Sequence, residues 1–240
     1  MAAQNGPSFD CTKANSTAEE LICADPALSA LDREISRLYD LARGSVSGSD
    51  LAMLKAYQRG WIKGRDDCWK ARVSITECIS TVNIVRIHEL RRDHPATRSE
   101  DGASLGPIEY RCDGLDHTVS AVVITLPEAP YASVAWDEMM ISLPQVRAAS
   151  GAKYETHDGI LFWIQGSEAR LSYAGQTSLV LHPHYHQVTL APEPFLLVLV
   201  VSRPESLDAL LPELRRRLIL TAVFIYPGER IERVLSARRL

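Results

Sequence analysis

The sequence predicts an α + β chain of two domains: a small disulfide-braced all-α helical domain followed by a small antiparallel β-barrel. Three observations predict it. Four of the five cysteines, Cys11, Cys23, Cys68 and Cys78, fall in the first third of the chain. Apolar residues recur at three- and four-residue steps behind helix-cap signals as far as about residue 92. From residue 108 to 173 the text changes to short runs of β-formers broken by turn residues. The expected organisation is a helical domain over 9–92, a linker over 93–107, a barrel over 108–173 and a C-terminal segment over 174–240.

The helices are read in order. Ser16 and Glu19 make a capping box ahead of "ELICA". Asp25-Pro26 starts a second helix, with Asp at the cap and Pro at the first helical position. Leu28, Leu31, Ile35, Leu38 and Ala42 form its apolar stripe, and Gly44 with "SVSGSD" ends it. A third helix runs from about Leu51 to Trp69, and Ser74 with Glu77 caps a fourth. Such short helices are marginal alone, so cross-links matter.

No C-x-x-C pair occurs, and the cysteine spacings fit zinc ligation poorly. Two disulfides in an oxidising compartment are therefore expected. Antiparallel packing of the second and third helices would bring Cys68 near Cys23. That favours Cys23–Cys68 with Cys11–Cys78, although four cysteines allow three pairings. Cys112 stands apart.

"RRDHPATRSEDGASLGP", Arg91 to Pro107, is polar and rich in Pro and Gly, as an interdomain linker would be. Beyond it, "HTVSAVVITL", "YASVAW", "MMISLPQV", "AKYET", "GILFWIQG" and "EARLSY" follow at short intervals, the spacing of an antiparallel barrel or sandwich. Asp158-Gly159 predicts a two-residue hairpin turn of type I′. After Ala174 no strand rhythm continues; that part reads as a shifted frame or an unrelated extension.

Bulk properties exclude several functions. Hydrophobic content of 46% and charged content of 23% describe a soluble globular chain. A net charge of −4, with no basic tract before the C-terminal part, argues against nucleic acid as partner. "FLLVLVV", Phe195 to Val201, is far short of a membrane span. No apolar leader is visible, and "PSFD" before Cys11 is not a lipobox. An exported protein whose export segment has been removed is the expectation. His182, His184 and His186 alternate and could share a strand face, but Pro183 interrupts them and no metal is expected. No G-x-S-x-G or H-E-x-x-H motif occurs, so neither an enzyme nor a cofactor is expected. Trp61 and Arg65, one helical turn apart, read as a core ring with a satisfied guanidinium.

Two families share ordered motifs with this chain. Cys11, the "AEELIC" run ending at Cys23, Leu31-Asp32, Tyr39, Gln58-Arg59-x-Trp61-x-x-x-Arg65-x-x-Cys68 and Cys78 resemble the lysozyme-inhibitor LprI-like helical domain. Tyr110-x-Cys112, Ser150-Gly151-Ala152-x-Tyr154, Phe162-Trp163 and Gly166-x-x-Ala169-x-Leu171 resemble the membrane-bound or periplasmic inhibitors of c-type lysozyme, MliC/PliC.

The second resemblance implies a small antiparallel barrel in the bacterial envelope that guards against host lysozyme, with c-type lysozyme as the protein partner. It also implies a mechanism. A loop enters the lysozyme cleft and meets its two carboxyl groups, one acid and one nucleophile. By motif position Ser150 is the hydrogen-bond donor, with Gly151 and Tyr154 shaping the loop and Gln165 and Gly166 beside it. Two departures stand out. The family has a Lys where this chain has Gln165, which brings no charge. Its barrel is closed by a disulfide from the Tyr-x-Cys cysteine, and no cysteine follows Cys112 here.

The expected function is a periplasmic or secreted proteinaceous inhibitor of lysozyme, with a homodimer left open as its assembly. The alternative is a non-inhibitory envelope module that binds peptidoglycan fragments or an envelope protein.

Overall fold

The computed structural model describes residues 6–112, 118–173 and 179–183, and two paired two-residue strands further on, 218–219 and 238–239. Residues 1–184 form one compact unit and Tyr185–Leu240 a second. In the first unit, α1 (Thr17–Ala24), α2 (Pro26–Ser45), α3 (Gly48–Asp66) and α4 (Ile75–Asp93) precede β1 (Ser104–Cys112), β2 (Val119–Leu126), β3 (Ala129–Trp136), β4 (Met139–Val146), β5 (Ala152–Glu155), β6 (Leu161–Gln165), β7 (Glu168–Ser172) and β8 (Leu179–Pro183). The fold class expected from the sequence is the one formed.

The caps do what their residue types predict. The Ser16 hydroxyl accepts from the Glu19 N–H, Ser74 does the same for Glu77, and Asp25 accepts from Ala27 and Leu28 at the head of α2. The signature residues of α3 brace the helices. The Trp61 indole donates to the Val82 carbonyl at 3.2 Å, and Gln58 Oε1 accepts from the Arg86 guanidinium. Arg65, 4% exposed, stacks over Trp61 and pairs with Asp66, Glu19 and Asp32.

The disulfides are Cys11–Cys23 and Cys68–Cys78, not Cys23–Cys68 with Cys11–Cys78. Antiparallel packing of α2 and α3 does not govern the pairing. Cys23 belongs to the end of α1, where the chain folds back on the 3-10 turn that carries Cys11. Cys68 lies in a 3-10 turn beyond α3, which delivers it to the first turn of α4 and Cys78. Each bridge therefore closes a short local loop, and Cys68 is buried against Ala18, Ile22, Leu28 and Ile79.

The eight strands form a closed antiparallel barrel in which each strand pairs with its sequence neighbour and β8 returns to β1. Tyr110, Trp136, Leu143, Tyr154, Phe162, Leu171 and Leu181 fill the interior. Closure needs a partner for β1. "LVLHP", within the segment that shows no strand rhythm to the eye, supplies it. The barrel thus extends ten residues past Tyr173, and two register facts identify its last strand: Leu181 pairs with Ala169 and His182 with Arg111. The Asp158-Gly159 turn also differs from expectation. Only Gly159 has positive φ, +85°, and Thr156 bonds to Ile160 across a three-residue loop. Type I′ needs positive φ at both central residues, which Asp158 does not adopt.

Helices cover one side of the barrel. Val122, Ile124 and Ala129 point out of the barrel into Leu31, Ile35, Leu38, Ile84, Ile87 and Leu90. β2 is therefore buried on both faces, which its unbroken apolar run reflects. The seam also holds polar groups. His88 is fully buried, its Nδ1 2.9 Å from Ser133 Oγ and its Nε2 3.2 Å from Ser120 Oγ. Ser120 in turn donates to Glu109 Oε1 at 2.9 Å. With its one proton committed to Glu109, Ser120 accepts from His88 Nε2–H, so Nδ1 accepts from Ser133. Burial in this seam favours the neutral imidazole.

The segment expected as a linker is tied down. The Arg91 guanidinium, 1% exposed, donates to the Gly106 and Ser99 carbonyls and to Ser104 Oγ. Glu34 accepts from Ser104 Oγ and the Ala103 N–H while gripping Arg37 through both its oxygens. Arg98 donates to the Arg91 and Arg92 carbonyls at the end of α4. The chain leaves the helices along a bonded path.

Candidate functional site

One end of the barrel carries the residues the sequence singles out. The connection between β4 and β5, Arg147 to Gly151, stands exposed at this end beside the two-residue turn Gly166-Ser167 between β6 and β7. The register places them together. Ala152 pairs with Ile164, so the residues just before β5 lie opposite those just after β6.

Three features fix this loop. Gly151 has φ +66°, and a Cβ there would sit 2.1 Å from the Ile164 carbonyl oxygen. Only glycine meets both demands. The Trp163 indole donates to the Ser150 carbonyl at 2.9 Å. The Gln165 side-chain amide donates to Ser150 Oγ at 3.4 Å. The hydroxyl of Ser150 accepts there and donates no hydrogen bond among the described residues. The loop is an exposed turn pinned from beneath by two side chains of one strand.

The remaining predicted residues divide between this end and the core. Gly166 lies in the adjoining turn with φ +64°. Tyr154 is 3% exposed inside the barrel, 6.4 Å from the Phe162 ring. Burial raises its phenol above the usual tyrosine range. It packs β5 against the barrel core and is almost wholly out of reach of solvent. Phe162 and Trp163 take opposite faces, Phe162 filling the core and Trp163 lying outside against the loop. That indole contact is the part of the site that sequence reading missed; the alternation of faces was its signal.

The outer face beside the loop carries charge. Lys153, Trp163 and Arg170 are direct cross-strand neighbours on β5, β6 and β7. Lys153 bonds to Glu155 at 2.8 Å. His182 Nδ1 lies 3.6 Å from Glu168 on β7, while His184 and His186 lie outside the described residues. No group of three metal-ligating side chains occurs among the described residues. No helix among them is long and apolar enough to cross a membrane. A concavity of about 410 Å³ runs along α3 and α4, lined by Tyr57, Gly60, Trp61, Gly64, Val82 and Arg86.

Comparison with known proteins follows the same division. Residues 10–90 match the family model described as Lysozyme inhibitor LprI. Residues 110–179 match the model described as Membrane-bound lysozyme-inhibitor of c-type lysozyme, MliC. The chain is 29% identical over 172 residues to proteins named Lipoprotein LprI from Mycobacterium bovis and from Mycobacterium tuberculosis, covering 72% of this chain and 82% of theirs. The aligned length exceeds what the helical domain alone supplies, so the likeness runs into the barrel. No solved structure matches the chain.

Proposed function

We propose that this chain, which joins an LprI-type helical domain to an MliC-type barrel, is a proteinaceous inhibitor of c-type lysozyme that acts by placing the Ser150 loop in the enzyme's cleft. The observation that carries the reading is the state of Ser150. It is exposed at a barrel end, its carbonyl and hydroxyl oxygens accept from Trp163 and Gln165, and its hydroxyl can still donate one hydrogen bond. Lysozyme cleaves its glycan with a pair of carboxyl groups. A fixed hydroxyl donor suits a carboxylate acceptor, and a loop already held in place loses little entropy on binding.

In this reading the chain acts by occupancy and turns nothing over. The helices stiffen the barrel along β2 to β4 and leave the loop end open. Two disulfides and a lysozyme partner point to the cell envelope, in the periplasm or outside it. The neutral Gln165 gives the loop a hydrogen bond where a Lys would add a charge-assisted one, about twice as strong.

A lysis assay tests the proposal. Excess wild-type protein is expected to stop c-type lysozyme from clearing peptidoglycan, and Ser150→Ala to weaken this by about tenfold, the loss of one good hydrogen bond. Undiminished lysis with the wild type, together with retention of the chain on peptidoglycan, would favour the envelope-binding alternative.

A further inference from the structure

We infer that the inhibitor's cationic contact comes from the sheet face beside the loop: Lys153, Trp163 and Arg170 form a row that docks on a carboxylate-bearing rim of the lysozyme cleft, with Arg170 its principal anchor. The inference rests on the inhibitor reading above and adds a surface to it.

Four observations carry it. First, the row is contiguous. Trp163 pairs directly with Lys153 on one side and Arg170 on the other, so the three side chains stand one strand spacing apart, about 5 Å. Second, the row faces out. Tyr154, Phe162 and Leu171, their sequence neighbours, fill the barrel interior. The helices bury the outer face of β2 and β3, whereas Arg170 on β7 is exposed.

Third, Arg170 has no hydrogen-bond or ion-pair partner among the described residues. Neither nearby acid bonds to Arg170: Glu155 holds Lys153, and Glu168 lies 3.6 Å from His182. Arg147, in the loop itself, is exposed and likewise without a partner among the described residues. A chain of net charge −4 thus places two exposed guanidinium groups, Arg147 and Arg170, without partners among the described residues, in and beside the loop.

Fourth, the middle member of the row is the residue that holds the loop, because the Trp163 indole is bonded to Ser150. Arg170 is thus the cross-strand neighbour of the residue bonded to Ser150. A tryptophan flanked by an open arginine fork is the residue pairing that concentrates binding energy in protein interfaces. The planar fork matches a carboxylate through two parallel hydrogen bonds. Position 165 lacks a cation, and the row supplies one from the neighbouring strand.

The test compares inhibition constants of Arg170→Ala, Arg170→Lys and Trp163→Phe against purified c-type lysozyme at low and moderate salt. Ser150→Ala serves as the reference, and Arg111→Ala as an exposed arginine off the row. Arg170→Ala is expected to weaken inhibition by about tenfold and to flatten its salt dependence. Arg170→Lys should restore the salt dependence but only part of the affinity. Trp163→Phe removes the indole donor and should weaken inhibition without moving the unfolding midpoint by more than a degree or two. Arg111→Ala should stay within about twofold of wild type, as rim charges off the contact do. If Ser150→Ala weakens inhibition while Arg170→Ala matches wild type at both salts, the row is not the anchor and the inference is overturned alone. If the wild type does not inhibit, the inference and the inhibitor reading fall together.

Discussion

Lowering the pH from 7 to 5 should loosen the seam between helices and barrel through one residue, His88. Burial, with Arg92 adding to it, pulls this imidazole from the ordinary 6.5 down to about 4. The groups facing it are Ser133 on β3, Ser120 on β2, and Glu109 on β1 through Ser120; Arg92 and Asp93 lie on its own helix. The unfolded chain therefore binds a proton between pH 6.5 and 4 that the folded chain refuses. Stability is complete above 6.5 and falls as the pH drops toward 4. A shift of this size corresponds to about 3 kcal/mol in full, of which roughly 2 kcal/mol is lost by pH 5. That is a large fraction of a typical domain's stability.

Denaturant unfolding of wild type and His88→Gln at pH 7 and pH 5 would read this loss. Gln retains one donor and one acceptor for the two serines but does not titrate. The wild type is expected to lose roughly 2 kcal/mol more than the variant over this interval. Parallel losses in the two proteins would refute the argument, because the drop would then belong to surface carboxylates.

Three further outcomes follow from the fold. Gly151→Ala forces a Cβ to 2.1 Å from the Ile164 carbonyl in a left-handed conformation, so it should cost about 1–3 kcal/mol and abolish loop-dependent inhibition; denaturant unfolding paired with the lysis assay checks both. Arg91→Met strands the partly buried Gly106 and Ser99 carbonyls and removes a donor to Ser104 Oγ, with an expected loss of about 2–3 kcal/mol in thermal or chemical unfolding. Disulfide mapping of the digested protein should recover Cys11 joined to Cys23 and Cys68 joined to Cys78; removing the second pair should cost about 3 kcal/mol.

Local chemistry was legible in the sequence, and long-range geometry was not. Ser16, Asp25 and Ser74 announce helix starts because a cap is a contact within three residues. Ser150, Gly151 and the turn before β7 were legible as an ordered motif, and the register brings them to one barrel end. The cysteine pairing was missed because it depends on where two 3-10 turns swing, not on how two helices pack. β8 was missed because its five residues alternate only weakly between Val180 and His182 outside and Leu181 inside. His88 and Arg91 carry no mark in the text that separates them from surface residues of a charged helix end. Their burial arises only when α4 lies on β1 to β3.

The central claim is that the Ser150 loop occupies the lysozyme cleft, and competition measures it most directly. Binding of the chain to c-type lysozyme would be titrated by calorimetry with and without a glycan oligosaccharide that fills the cleft. The account predicts a one-to-one complex whose apparent affinity falls as the oligosaccharide concentration rises, and which Ser150→Ala weakens by about tenfold. Binding of undiminished strength to lysozyme saturated with oligosaccharide would contradict it, since the two ligands would then use different surfaces.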